Sequence, residues 1–437
     1  MHQVVIVGGG FGGLAAATAL GGADVNVILV DRRNFHLFQP LLYQVATGEL
    51  SPGDIASPQR EILRKRKNIN VLQAEVTGLD VVNRQIQCGE TTLPFDDLIL
   101  STGVRPHYFG NGQWEPLAPG LKTVEDALEI RKRIFRAFEK AEWEENPEAK
   151  RNWLTFVIVG GGATGVELAG AISELSRVTL REDFRRIDTG EAKIYLLEGS
   201  GRILSGFHAS LSAKATSRLE RMGVSVRTGT MVTSIEAGKV GIRDEGGDGQ
   251  IDAKTVVWAA GVSASPLGAM LGEQTGVTLD RMGRVIVNPD LSIPGNPGIY
   301  VIGDLAHYPQ AGGEPLPGLA PVATQQGRYA ARHIMAKRKG KPIKEFRYLN
   351  KGNLAVIGRN SAVGELGKLR FSGFAAWLVW VFIHIRFLIE FDNKTKVMLQ
   401  WFWSYIRRKR GARLITGPLT TEPLTTEPSP QEDSGKK

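Results

Sequence analysis

Val4-Val5-Ile6-Val7-Gly8-Gly9-Gly10-Phe11-Gly12-Gly13 and Phe156-Val157-Ile158-Val159-Gly160-Gly161-Gly162-Ala163-Thr164-Gly165 are two versions of one pattern. Each is a β-branched apolar run with the length of a buried parallel strand, followed by a glycine turn and then a helix pattern. Residue 156 answers residue 4, an offset of 152, so the chain carries two βα units. The glycines have separate steric tasks. Gly8 and Gly160 permit a tight turn, Gly10 and Gly162 let a pyrophosphate approach the backbone, and Gly13 and Gly165 let the helix pack on the strand. Each helix start, with Phe11 or Thr164 in it, offers free N–H groups and partial positive charge to phosphates.

Both units continue to an acidic strand end. Val25 to Val30 runs into Asp31 and Arg32, and Ala192 to Leu197 runs into Glu198. Asp31 follows Gly13 by 18 residues, and its carboxylate can accept from ribose hydroxyls. Glu198 follows Gly165 by 33, because a long charged loop, Arg177 to Glu191, intervenes. A glutamate at this strand end repels a 2′-phosphate and favours NADH over NADPH, and Arg202 nearby softens that preference. Other strands also end in glycine: Leu98 to Gly103 with Thr102 before the glycine, Val256 to Gly261 with Ala260 before it, and Gly298 to Gly303 with Asp304 after it. A charged helix-like stretch, Glu125 to Lys150, links the two units.

The 437 residues predict two or three domains. Glycine is abundant, 52 residues against a typical share of about 7%, in keeping with tight turns and close backbone approaches. The single cysteine, Cys88, excludes an internal disulfide, a CxxC redox pair, a four-cysteine zinc site and an iron–sulfur cluster. Redox chemistry must then run on a cofactor without protein thiols, and no metal is implied. The chain opens directly on a strand with no signal segment before it, so secretion is not expected. The net charge of +9 is unevenly placed: Ala331 to Ile415 carries 19 Lys/Arg and 4 Asp/Glu, or +15, leaving −6 for the rest. That asymmetry points to an anionic surface at the C-terminal end.

The layout of two nucleotide units resembles the two-dinucleotide-binding-domain flavoproteins, with FAD in the first unit and NADH in the second. More specific stretches resemble the type II, non-proton-pumping NADH:quinone oxidoreductases: Asp31 through Gly48 (DRRNFHLFQPLLYQVATG), Gly165 to Gly170, Trp258 to Gly261, and Ala320 to Gly327 (APVATQQG). The resemblance spans about residues 3–415. It implies an α/β fold with two Rossmann-like domains and a C-terminal membrane-anchoring region of amphipathic helices. FAD-binding residues would be 1–120 and 286–345, NADH-binding residues 121–285, and the anchor 346–410. In this family Asp304 accepts from the ribityl chain of FAD, and Trp258 to Gly261 line the nicotinamide. Glu167, on the first turn of its helix, serves the redox step at the flavin–nicotinamide junction. Pro321 suits the first position of a helix whose start, with Ala320, points at the flavin, and Gln325 one turn on faces the quinone headgroup. This chain departs from the family in one place: Pro321 stands where a second glutamine is common. His36 and His384 show no sequence partners and read as packing histidines.

Phe374 to Ile385 holds one polar residue in twelve, too few residues to cross a bilayer and enough to lie in its surface. A second helix pattern runs from Lys394 past Trp401 and Trp403 to Arg407–Arg410. Four of the eight tryptophans fall here with flanking Lys/Arg, the composition of an in-plane membrane helix. Residues 372–410 are therefore expected to anchor on an anionic lipid surface, with Arg386 beside a quinone entry path and no nucleic acid partner. Residues 411–437, with Leu-Thr-Thr-Glu-Pro repeated from Leu419 and Leu424, are expected to be a disordered tail. The partners implied are a membrane quinone and the bilayer, at the cytoplasmic face of a bacterial inner or thylakoid membrane, with a homodimer as a further option. Two other functions fit the nucleotide units: a soluble NAD(P)H-dependent ferredoxin or rubredoxin-type reductase, and a redox sensor with negligible turnover.

Overall fold

The computed structural model describes residues 1–310, 313–387 and 411–416. Its first sheet has six strands in the order Ser292–Ile293, Asn296–Val301, Asp97–Leu100, Gln3–Val7, Asn26–Asp31, Ile69–Gln73. All neighbours pair parallel except the edge strand Ser292–Ile293. Val4, Val5 and Ile6 are fully buried, as a central strand covered on both faces requires. The second sheet is wholly parallel, in the order Val224–Thr228, Lys193–Glu198, Thr155–Val159, Thr255–Trp258. It lies in sequence between Asp97–Leu100 and Asn296–Val301, which pair with each other, so the first sheet is completed only after the second has been made. The short strands Val104–Pro106 and Val262–Ala264 pair antiparallel where the chain passes between the two units.

Helices Phe11–Leu20 and Ala320–Arg338 pack backbone to backbone: a Cβ on Gly327 would overlap the carbonyl oxygen of Gly12. The charged link is two helices rather than one. Val124–Trp143 begins at a capping box between Thr123 and Asp126, and Pro147–Trp153 begins at Asn146, whose side chain accepts from Glu148 N and Ala149 N. Pro147 forces the break, since it cannot donate into a continuing helix. The long loop is also more ordered than expected. Helix Ala163–Glu174 runs on into a wider turn, Leu175–Thr179, and Arg177 reaches the carbonyls of Ala192 and Gly223.

The region read as an anchor begins with a sheet. Strands Asn353–Gly358, Ser361–Leu366 and Leu369–Gly373 form an antiparallel meander. It packs on helix Ala163–Glu174 so closely that a Cβ on Gly170 would overlap the Ile357 carbonyl. Helix Phe374–Phe387 follows directly. Ala376 and Trp380 are buried against the body, while Phe374, Leu378, Val379 and Phe382 stand exposed, Phe382 at 68%. Spacing of four residues puts these apolar side chains on one face. No helix among the described residues is long and apolar enough to cross a membrane. The expected second anchor helix from Lys394, the side chain of Arg386 and the tail from Gly417 lie outside the described residues.

Gly170→Ala is predicted to lower the thermal midpoint by about 1–3 °C, because the added methyl must push the helix off the Ile357 backbone. Thermal unfolding of the variant beside the wild type checks this.

Candidate active site

The two glycine turns are built alike to fine detail. Gly8 and Gly160 have φ of 98° and 110°, in the region only glycine occupies freely. A Cβ on Gly13 would overlap the Gly8 carbonyl, and one on Gly165 would overlap that of Gly160. Gly10 and Gly162 are the residues before the helix starts, and nothing lies within 4 Å of the position their Cβ would take, which leaves room for a phosphate. The acidic strand ends close each turn in the same way: Asp31 accepts from Gly9 N, and Glu198 accepts from Gly161 N at 2.6 Å. Their second oxygens accept from Arg33 N and Ser200 N. The expected position of Glu198 at its strand end holds, despite the long loop before it.

Several groups lie where the first turn meets Asp97–Leu100 and the start of Ala320–Arg338. Gly303 N donates to Gln326 Oε1 at 2.7 Å, and Gln326 is 1% exposed. Burial raises the Asp304 carboxyl above the usual range, against the pull of Lys122 and Arg284. Among the described residues Thr102 Oγ1 is buried without a hydrogen-bond partner. An acceptor at Asp304, a hydroxyl at Thr102, the unobstructed Gly103 and the open phosphate turn suit a dinucleotide carrying a polyhydroxyl chain, which is what FAD presents. Phe11, the first residue of its helix, meets His36 and Phe38 edge-on at 5.0 and 5.8 Å. Arg32 is exposed at the rim.

A small cleft between the units is lined by Gln39, Leu42, Tyr43, Leu121, Lys122, Thr164 and Glu167. Glu167 is the fifth residue of helix Ala163–Glu174, so it sits in the second turn and not the first, below the phosphate turn. Burial raises its carboxyl from 4.5 to about 8, opposed by a hydrogen bond from the Val356 backbone. At neutral pH it therefore holds its proton. Burial and then the charge of Glu167 push the Tyr43 phenol well above its ordinary value. Gln44 donates to the Tyr43 hydroxyl at 3.1 Å.

Three expected roles look different in place. The Gln325 amide is paired with the Leu349 peptide at both ends, donating to Leu349 O at 3.1 Å and accepting from Leu349 N at 3.0 Å. Its neighbour Gln326, which the sequence reading passed over, is the one turned inward. Ala320 opens the helix and Pro321 takes the second position rather than the first. Trp258 does not line a nucleotide surface. It is 4% exposed, donates to His107 O at 3.0 Å and packs among Tyr108, Trp114 and Phe109. The backbone of Ala259 and Ala260 reaches the second turn, close enough that a Cβ on Gly160 would lie 2.6 Å from Ala259 C and from Ala260 N. The two histidines do pack, and both also hydrogen-bond. His36 lies 2.9 Å from Gly9 O, behind the first turn, and His384 stacks on Trp380, where burial lowers it to about 4.

A family model described as pyridine nucleotide-disulphide oxidoreductase matches residues 2–327. Two type II NADH:quinone oxidoreductases of Mycobacterium tuberculosis are 44% and 45% identical, over 95% and 96% of this chain and 90% of theirs. Among solved structures, NDH2 from Plasmodium falciparum in complex with NADH has the same fold, with a TM-score of 0.85 at 20% identity over 95% of this chain and 100% of that one. The sulfide:quinone oxidoreductase of Aquifex aeolicus gives a TM-score of 0.72 at 18% identity, over 94% of this chain and 92% of that one.

The raised Glu167 carboxyl has a consequence for stability. Between 4.5 and about 8 the folded chain keeps a proton that the unfolded chain releases, so this group destabilises the fold progressively as pH rises through that window. Glu167→Gln cannot ionise. In FAD-free protein its thermal midpoint, relative to wild type, is predicted to climb from about pH 5 to about pH 9. A difference that is flat or falling would contradict the buried, proton-holding carboxyl.

Proposed function

This chain belongs to the pyridine nucleotide-disulphide oxidoreductase family and within it to the type II NADH:quinone oxidoreductases, and from that premise we propose that it works at a membrane surface, oxidising NADH and reducing a membrane quinone by two electrons without pumping protons. The observation that carries this reading is the placement of Glu167, a proton-holding carboxyl, in a cleft shared by the two nucleotide units.

Bound FAD supplies the two-electron chemistry that connects NADH to quinone. The chain's own residues position the nucleotides and handle charge. In the first unit, Gly8, Gly10, Gly13 and Phe11 would cradle the FAD pyrophosphate, Asp31 would take ribose hydroxyls, and Thr102, Gly103, Gly303, Asp304 and Ala320 would hold the ribityl and flavin end. Gly160, Gly162, Thr164, Gly165, Glu198, Ala260 and Gly261 would do the same for NADH. Glu198 selects against a 2′-phosphate by charge. Overall, NADH and quinone react with one proton from solvent to give NAD⁺ and quinol. Glu167 holds a proton at its carboxyl at neutral pH and can deliver it in the cleft. The Leu349 peptide takes one N–H and one lone pair of the Gln325 amide, which leaves its second N–H to meet a quinone headgroup.

The apolar face of Phe374–Phe387 supports a monotopic anchor. Its exposed Phe374, Leu378 and Phe382, followed by a basic sequence, match an in-plane helix on an anionic lipid surface, from which a lipid-soluble quinone enters. The relevant membrane would be a bacterial inner or thylakoid membrane, on its cytoplasmic side.

NADH oxidation by FAD-loaded protein is expected to depend on a short-chain quinone and to prefer NADH to NADPH. Glu198→Gln is expected to narrow that preference by roughly fivefold to tenfold in kcat/KM. Fast turnover only with a protein acceptor would favour a soluble reductase, and NADH binding without turnover would favour a sensor. Phe382→Asp is expected to weaken sedimentation with anionic vesicles by on the order of tenfold while leaving turnover with a water-soluble quinone intact. Unchanged sedimentation would argue against this face as the anchor.

A further inference from the structure

Phe109 breaks two local rules at once. It is a large apolar side chain left 62% exposed, and its backbone is left-handed, with φ of 52°. Gly110 follows at φ of 87°, and Asn111 N donates to Tyr108 O at 3.0 Å, so Tyr108–Asn111 is a tight turn with positive φ at both central residues. Such a turn favours Asn-Gly, and phenylalanine is a poor occupant of its first central position. The surroundings hold the turn in place. Tyr108 OH donates to Ala118 O at 2.8 Å, Trp258 donates to His107 O at 3.0 Å, and the Asn111 side chain donates to the carbonyls of Tyr108 and Phe109. Strain kept by a well-braced turn is grounds for seeking a task for the side chain.

Where the ring lies suggests the task. It meets His107 edge-on at 4.9 Å and covers Gly261, where a Cβ would stand 2.6 Å from Phe109 Cζ. Gly261 follows the strand Thr255–Trp258, which flanks Thr155–Val159 on one side, while Lys193–Glu198 flanks it on the other. The central strand bears the phosphate turn. A dinucleotide with its pyrophosphate there and its adenosine ribose at Glu198 must send its other half across to Ala260, Gly261 and the exposed ring of Phe109.

We propose that Phe109 is a positioning residue for NADH, an aromatic wall against which the nicotinamide riboside half packs beside Gly261. This rests on the reading of the second unit as the NADH site. An apolar ring face is the chemistry suited to a flat, weakly polar nicotinamide, and it helps keep water from that end of the pocket.

The test compares binding of NAD⁺ and of ADP-ribose, which lacks the nicotinamide, to FAD-loaded wild type, Phe109→Asn and Phe109→Tyr by titration calorimetry. Asparagine suits the turn, so Phe109→Asn is expected to keep or raise the thermal midpoint, whereas a purely structural role for the phenylalanine would lower it. The same variant is expected to bind NAD⁺ about fivefold to twentyfold more weakly, with ADP-ribose affinity unchanged and with Phe109→Tyr close to wild type. Unchanged NAD⁺ affinity in Phe109→Asn, or equal loss of both ligands, would overturn the proposal. Wild type that binds neither ligand would overturn the NADH reading of the second unit, and the role of Phe109 with it.

Discussion

Everything in this molecule depends on two places where a helix touches the strand that feeds it. At Gly13 and at Gly165 there is no space for even a methyl group between the helix and the preceding turn. That contact aims the helix start at the phosphate position and fixes how the helix lies on the sheet. In the second unit it also sets the depth of Glu167, two residues further along the same helix. The opposite side of that helix is fixed equally tightly, because Gly170 lets the Ile357 backbone approach. Glu167 is thus held between a nucleotide turn above and the C-terminal sheet beside it, and its burial is what keeps it protonated at neutral pH.

The same economy of space links the C-terminal region to the chemistry. Strands Asn353–Gly358 to Leu369–Gly373 rest on the helix that carries Glu167 and lead without a break into Phe374–Phe387. His384 of that helix lies edge-on to Phe38, which itself meets Phe11 at the first phosphate turn. Ala412 returns to the body, donating to Gly48 O at 3.2 Å just beyond the short helix that holds Tyr43. That helix is thereby tied by contacts to the first nucleotide unit, and its preceding sheet to the second.

Much of this was legible in the chain itself. The paired glycine turns and the acidic strand ends follow from strand–turn–helix grammar, because glycine spacing is dictated by backbone contact, whereas the split of the first unit is implied by the family resemblance. Other features depend on contacts distant in sequence. The three-stranded meander has strands of ordinary length but carries no family motif, and Gly364 interrupts its middle strand. Gln325 and Gln326 are adjacent on a helix, so which of them turns inward is decided by the packing of Gly327 on Gly12. Trp258 reads as a nucleotide contact by family pattern, yet the aromatic residues of 108–114 claim it for a core. Phe109 carries no motif at all, and its left-handed backbone and exposed ring are evident only in the folded chain.

In the proposed reaction the two nucleotide units share one cleft and pass two electrons from NADH to a quinone. An anaerobic spectral titration of the FAD-loaded protein tests it most directly. One equivalent of NADH should bleach the flavin absorption, and one equivalent of a short-chain quinone should then restore it. A flavin that stays coloured with NADH, or that stays bleached when quinone is added, would contradict the account.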